Sequence, residues 1–225
     1  MKSTPLGLSS SLLLLSIALA VPDPTLAGGE IDLLYGLTTL DLDVGVGDAD
    51  DQQGLGLMLT IGSDWPVSLA VDIFQSEENG AGSYSGDYSG VNYAYNFTDF
   101  KAEVTEIDIG VRKFFGSGEK RLQGYVGGGA AYGDIEFTAS GDVTITPPGG
   151  APTPFIGEKA DGNGFGFFVN GGLSIRVSRR IRVGVDGRIS MVEAEVKSNA
   201  GDTFFDDDFD IGGTRVAVFA GFRWD

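Results

Sequence analysis

The strongest constraint on the fold of this chain is an alternation of apolar and polar side chains that continues from Glu30 to Trp224. Successive side chains of a β-strand point to opposite faces, so a period of two residues predicts strands with one apolar face. The pattern occupies eight windows: residues 31–37, 54–62, 66–77, 104–115, 122–137, 165–177, 181–191 and 214–224. We therefore predict an all-β chain of eight strands. The register of window 122–137 stays open because the small residues GGGAA at 127–131 hide it.

The connections between these windows alternate between short and long. The short ones are residues 62–66, 116–121 and 178–180, and the long, polar ones are roughly residues 43–53, 76–102, 138–163 and 193–212. Strands that cross a membrane as hairpins have short turns on one side and long loops on the other. The order of the connections therefore predicts an antiparallel up-and-down transmembrane β-barrel formed as one domain by residues 28–225.

The first 27 residues have the features of a secretory signal peptide. Lys2 precedes an apolar run, LLLLSIALAV at 12–21, and two prolines follow it. The run is about half the ~20 residues that a membrane-spanning helix needs. We predict cleavage after Ala27, with Ala20 as the second candidate site.

Composition excludes several classes of function. The 225 residues include no Cys and no His, which removes disulfides, thiolate nucleophiles, imidazole zinc sites and Ser-His-Asp catalysis. The formal net charge is 15 − 32 = −17, whereas nucleic-acid binding needs a basic surface. We therefore predict no nucleic-acid partner.

The polar face of the strands is crowded with Gly, Ala and Ser and contains charges of both signs. The interior of an eight-stranded barrel is only wide enough for side chains to fill, so this face suits the lumen and the 36 glycines supply room. The alternative is a soluble barrel of lipocalin type, with its apolar face inside. The predicted lumen charges are Asp72, Glu106, Asp108, Arg112, Arg176, Arg182, Asp186, Arg188, Arg215 and Arg223. Their balance is 6 − 4 = +2 before the less regular windows 31–37 and 122–137 are assigned.

One end of the predicted barrel has the composition of a membrane interface. Trp65, Phe115 and Trp224 all fall at the tight-turn end, where we expect an interfacial aromatic girdle. Basic residues gather at the same end: Lys113, Lys120, Arg121, Arg179 and Arg180. Most acidic residues fall in the long connections.

Acidic residues on one strand and in two of the long connections are the candidates for catalysis or metal binding. Glu106 and Asp108 share a face, and such a pair can raise one pKa, but nearby arginines favour an ion-pair network. For the run DDDFDIG at 206–212, Ile211 stands where an EF-hand calcium loop needs Gly at its sixth position, and Ala217 stands where it needs a carboxylate at its twelfth. We favour a solvated acidic loop over weak binding of divalent ions here, and the same holds for DADD at 48–51. We predict no catalytic residues, no cofactor and no metal.

The last strand, TRVAVFAGFRW at 214–224, resembles the C-terminal assembly signal of the OmpA-like family of small outer-membrane β-barrels. The resemblance covers essentially residues 28–225 and rests on pattern more than on a rigid motif. The family usually ends at the aromatic residue, whereas Asp225 follows Trp224 here. The resemblance implies a Gram-negative outer membrane with both termini in the periplasm.

These observations predict a non-enzymatic outer-membrane protein with a structural or surface-interaction role and acidic extracellular loops. The alternative is a narrow pore for small solutes, gated by the salt bridges of the lumen. The expected partners are outer-membrane lipid, lipopolysaccharide and the barrel-assembly machinery, with the protein itself a monomer.

Overall fold

A computed structural model describes residues 28–40, 51–63, 65–88, 91–116, 121–146, 153–198 and 207–224. The predicted signal peptide lies outside these residues. The described strands are β1 (Gly29–Leu40), β2 (Asp51–Ile61), β3 (Ser68–Tyr88), β4 (Val91–Phe115), β5 (Leu122–Thr146), β6 (Thr153–Arg176), β7 (Ile181–Ser198), β8 (Asp207–Asp210) and β9 (Gly213–Trp224).

The strands close into a barrel in which every pairing is antiparallel. Neighbours in sequence pair from β1 to β7, and β9 closes the ring by pairing with both β7 and β1. The short strand β8 pairs with the part of β7 that extends beyond β9, so β8 and β9 together occupy one position in the ring. The barrel is therefore eight-stranded, as the sequence predicts.

The short connections lie together at the lower end of the barrel, and the opposite end is its upper end. Gly62 and Gly116 have φ values of 75° and 102°, a region that side chains disfavour, which lets the chain turn sharply after β2 and β4. Gly29 lies opposite Trp224 at the same lower end. The described residues contain no helix that could cross a membrane.

The long connections are much shorter than the sequence suggested, and this prediction was wrong for three of them. Strands β3 and β4 pair as far as Tyr88 and Val91, within the predicted connection 76–102. Strands β5 and β6 pair as far as Val143 and Thr153, and β7 continues to Ser198. Register shifts between Gly80 and Gly82, Phe97 and Asp99, and Ala139 and Gly141 interrupt the alternation, which is why the sequence pattern does not reveal these hairpins.

The lower part of the barrel exposes apolar side chains over most of its outer surface. Its upper limit is the row Ile73, Ile107, Tyr132 and Phe165, and we call the part below and including this row the belt. Ile109 is 64% exposed and Val216 is 62% exposed, although both are large and apolar. So continuous an apolar surface is stable against hydrocarbon and not against water.

Above the belt, the polarity of the two faces is reversed. On β4 the outward residues change from Ile107 to Thr105 and Glu103, while the inward residues change from Glu106 to Val104. The change follows one row of paired residues across five strands: Gln75, Thr105, Asp134, Asn163 and Glu195. We call the barrel from this row upward the collar. The collar has the polarity of a soluble barrel, and the belt has that of a membrane barrel.

Candidate functional site

Arg188 lies at the top of the charged interior of the belt. Its guanidinium donates to Glu106 Oε1 at 2.5 Å and to Asp108 Oδ1 at 2.6 Å. Arg188 and Asp108 are almost completely buried. The sequence also allows Arg112 and Arg182 as partners of this carboxylate pair. Among the described arginines, however, only Arg188 forms salt bridges with Glu106 and Asp108.

A second group of charges occupies the middle of the belt. Arg112 contacts Asp72 at 3.5 Å, and Arg215 lies 3.5 Å from Asp186 and 4.0 Å from Asp72. The Tyr125 hydroxyl donates to Asp186 Oδ2 at 2.6 Å. Because these five side chains are buried, each charge must be balanced by the others.

The third group lies next to the tight turns. Arg182 bonds Asp32 through Nε at 3.0 Å and lies 2.5 Å from Glu30, whose other oxygen is 3.7 Å from Arg223. Glu30 and Asp32 are completely buried. Arg176 faces the same end and is half-buried.

Glu30 and Asp32 were missing from the predicted set. In β1 the apolar residues Ile31 and Leu33 define the alternation, and the sequence prediction assigned no charges to the opposite face. With both acids included, the inward charges of the belt balance, at 6 − 6 = 0, because six arginines face Glu30, Asp32, Asp72, Glu106, Asp108 and Asp186. We call these twelve residues the lumen charge network.

Aromatic rings separate the layers of this network and stack on its guanidinium groups. Such contacts stabilise a desolvated cation by about 2 kcal/mol. The guanidinium carbon lies 4.5 Å from the ring centre for Arg112 and Tyr125, 4.7 Å for Arg188 and Phe168, 4.4 Å for Arg215 and Phe74, and 5.2 Å for Arg182 and Phe219.

Glycines make room for these large side chains. A Cβ atom on Gly172 would lie 2.5 Å from Tyr125 Oη, and one on Gly184 would lie 2.5 Å from Phe219 Cζ. Both distances are too short for real carbon atoms. The lumen therefore alternates large residues with glycine, which accounts physically for part of the glycine excess of the sequence.

A layer of buried apolar side chains occupies the interior above the charges. Phe100 packs against Phe97 and Phe137, with ring centres 6.3 Å and 5.9 Å away. The layer consists of Phe97, Phe100, Ala102, Val104, Ala131, Ile135, Phe137, Ala139, Ala160, Phe168, Val192, Ala194 and Ile211. The sequence prediction missed this layer because it assigned most of these residues to loops.

Comparison with known proteins relates the whole barrel to solved structures. OprG, an outer membrane protein from Pseudomonas aeruginosa, has a TM-score of 0.52 and 12% identity, with 88% of this chain and 96% of that chain covered. A major outer membrane protein from Thermus thermophilus has a TM-score of 0.51 and 10% identity, with 88% of this chain and 100% of that chain covered. This chain has the fold of the small outer-membrane β-barrels. No family model and no curated protein sequence matches it.

In this outer-membrane type of barrel, the predicted interfacial aromatics lie at the tight-turn end. Trp65 and Phe115 are each 49% exposed, and Trp224 packs beside Gly29. At the upper edge of the belt, the Tyr132 and Phe165 rings lie 4.9 Å apart, and Phe165 is 76% exposed. The belt thus has aromatic residues at both of its edges.

The two acidic runs contribute no metal site to the described structure. The side chains of residues 206–210 and of residues 48–51 lie outside the described part. Within that part, no group of three or more acidic residues is arranged to hold a metal ion.

Proposed function

We propose that the protein is a non-enzymatic outer-membrane barrel with a structural and surface-presenting role. The belt anchors it in the bilayer, and the collar holds acidic hairpins rigidly outside. The reversal of polarity between the belt and the collar carries this proposal, since it marks a hydrocarbon level and a water level along the same strands.

The proposal includes a direction and a set of partners. Residues 1–27 direct export, the tight turns and both chain ends face the periplasm, and the barrel-assembly machinery inserts the protein as a monomer. The collar then meets the lipopolysaccharide of the outer leaflet, where acidic side chains such as Glu136, Asp161 and Glu195 face outward.

The lumen charge network has a packing role in this proposal. Its twelve charges balance, its aromatic rings fill the gaps, and the apolar layer of the collar lies above it. Both described candidates for an acidic catalytic pair, Glu106 and Asp108, are bound to Arg188. These contacts favour an anchor over an enzyme or a gated pore.

Membrane anchoring is tested by fractionation together with a gel of boiled and unboiled protein. We expect the protein in the outer-membrane fraction and a shift in migration that requires heating. Recovery as a soluble periplasmic protein would overturn the proposal.

Planar-bilayer recording tests the anchor against the alternative of a narrow pore. We expect no discrete conductance from the wild-type barrel. Discrete currents that change in Arg188→Ala or Glu106→Ala would identify a channel gated by the lumen charge network.

A further inference from the structure

The mouth of the barrel at the tight-turn end contains a pocket lined by arginine side chains. They come from the β4–β5 and β6–β7 turns and from the ends of β6, β7 and β9: Arg121, Arg176, Arg179, Arg180, Arg182 and Arg223. Glu30 is the only carboxylate among the described residues that line it, so the formal charge of the lining is 6 − 1 = +5. We call this pocket the basic mouth.

The one carboxylate of the basic mouth is already paired with two of its arginines. Glu30 is completely buried between Arg182 at 2.5 Å and Arg223 at 3.7 Å, and Arg182 also binds Asp32. Within the described part of the chain, no carboxylate lies within 4 Å of the other four guanidinium groups. Like charges confined in one pocket repel, and an anion among them would remove that repulsion.

Hydrogen bonds fix the backbone that carries these arginines. Arg176 N donates to Arg121 O at 2.8 Å, and Arg223 N donates to Arg180 O at 2.8 Å, which ties neighbouring strands together at the mouth. Ser178 Oγ accepts from the backbone N–H groups of Arg180 and Ile181 at 3.3 Å and 3.1 Å. The backbone of the site therefore needs no further ordering when a ligand binds, and the entropic cost is confined to the arginine side chains.

The basic mouth also lies at the edge of the belt. The Arg180 guanidinium carbon is 5.9 Å from the centre of the Phe222 ring, and Phe222 and Ile181 are about half exposed on the apolar outer surface. Arginines at this level face lipid headgroups once the belt is in a bilayer. Their planar guanidinium groups match phosphate oxygens in pairs.

We propose that the basic mouth binds a phosphate anion, with the headgroup of an anionic phospholipid in the adjoining leaflet as its source. Basic pockets at a membrane surface bind such headgroups through the same combination of charge and hydrogen bonds. The inference rests on the membrane placement proposed above, and it adds a lipid class and a binding site.

The test measures thermal unfolding of the folded full-length barrel in zwitterionic micelles during titration with phosphatidylglycerol, and separately with inorganic phosphate. We expect saturable stabilisation by phosphatidylglycerol. The variant Arg176→Gln/Arg179→Gln should weaken the apparent affinity at least about tenfold, since it removes two charge-assisted contacts. Arg179→Gln alone, at an exposed turn position, should give a smaller loss and serves if the double variant does not fold.

A matched control removes the same charge from the opposite end. Lys101→Gln/Lys159→Gln changes two collar lysines and should leave the affinity unchanged. Saturation by inorganic phosphate that is lost in the same variants would also support the site and identify a soluble phosphate as its source. Equal binding by the two double variants, or no saturable binding by the wild type, would overturn the inference. Failure to show heat-dependent migration would instead overturn the membrane proposal.

Discussion

The belt and the collar share several strands, but the polarity of their inward and outward faces is opposite. In the belt, Ile109 points outward and Asp108 points inward; in the collar, Glu103 points outward and Val104 points inward. The belt therefore buries charges that balance one another, and the collar buries apolar side chains as a soluble protein does. An alternating sequence defines two faces, but the solvent outside decides which of them becomes the interior.

Different interactions therefore stabilise the two interiors. The outward apolar residues of the belt are not buried by the protein itself. Its interior is stabilised by hydrogen bonds and ion pairs between buried groups, together with an apolar cluster around Phe74 and Phe219. The collar is stabilised by the hydrophobic effect, because folding removes Phe97, Phe100 and Phe137 from water. Four experiments test this difference.

Removal of Arg188 should have one of the two largest effects. Arg188→Ala leaves Glu106 and Asp108 buried without their cation, and we expect a loss of about 3–5 kcal/mol of unfolding free energy. Denaturant unfolding in lipid vesicles measures it. Lys159→Ala, which breaks a half-exposed collar pair with Glu136 at 2.7 Å, should cost only about 0–1 kcal/mol. Equal costs would contradict the balanced-charge view of the belt.

Phe137→Ala should destabilise the collar. It removes a ring that is 2% exposed and packs against Phe100, a change that costs about 3–5 kcal/mol in protein cores. Hydrogen exchange should show the loss in the upper halves of β4 and β5. Phe167→Ala, at a belt position that is 77% exposed, is the control and should leave collar exchange unchanged. Loss of protection in the belt alone would argue against a separate collar core.

A pair of arginine substitutions on the outer face of β4 should locate the reversal. Ile109→Arg places a charge within the belt and should cost about 2–4 kcal/mol in a bilayer. Thr105→Arg lies on the same face and strand, at the first collar row, and should cost about 0–1 kcal/mol. Folding from urea into vesicles measures both. A larger cost at Thr105 than at Ile109 would reverse the assignment of membrane and water levels.

The smallest expected effect concerns the acidic outer face of the collar. Partial burial and the nearby carboxylates of Asp161, Glu136 and Glu103 raise the pKa of Asp134 above its usual 3.8. A carboxyl whose pKa is higher in the folded state favours folding at low pH, and this contribution is lost as pH rises through the folded-state value. Asp134→Asn should therefore slightly stabilise the protein at pH 7, by less than about 1 kcal/mol because solvent screens the site. The gain should vanish below pH 3.8. A destabilised variant at pH 7 would contradict the repulsion.

Much of the fold was accessible from the sequence. The windows around Val71, Ile109 and Val218 predict three of the eight strands of the barrel, and the turns after Ile61, Phe115 and Arg176 lie where the short connections predict them. The extent of the hairpins was not accessible. Their alternation reverses its polarity and is interrupted by three register shifts, so the linear pattern looks like that of loops.

The sequence by itself determined the two faces of each strand, the single-barrel topology and the residue types available for the interior. Only the tertiary structure decided which charges meet, because Arg182 and Asp32 are 150 residues apart and their contact depends on closing β9 between β7 and β1. It also decided where the interior changes from charged to apolar. That level is defined by rows of paired residues that run across neighbouring strands. The alternation along the sequence predicts each strand, but it does not show which residues of neighbouring strands pair.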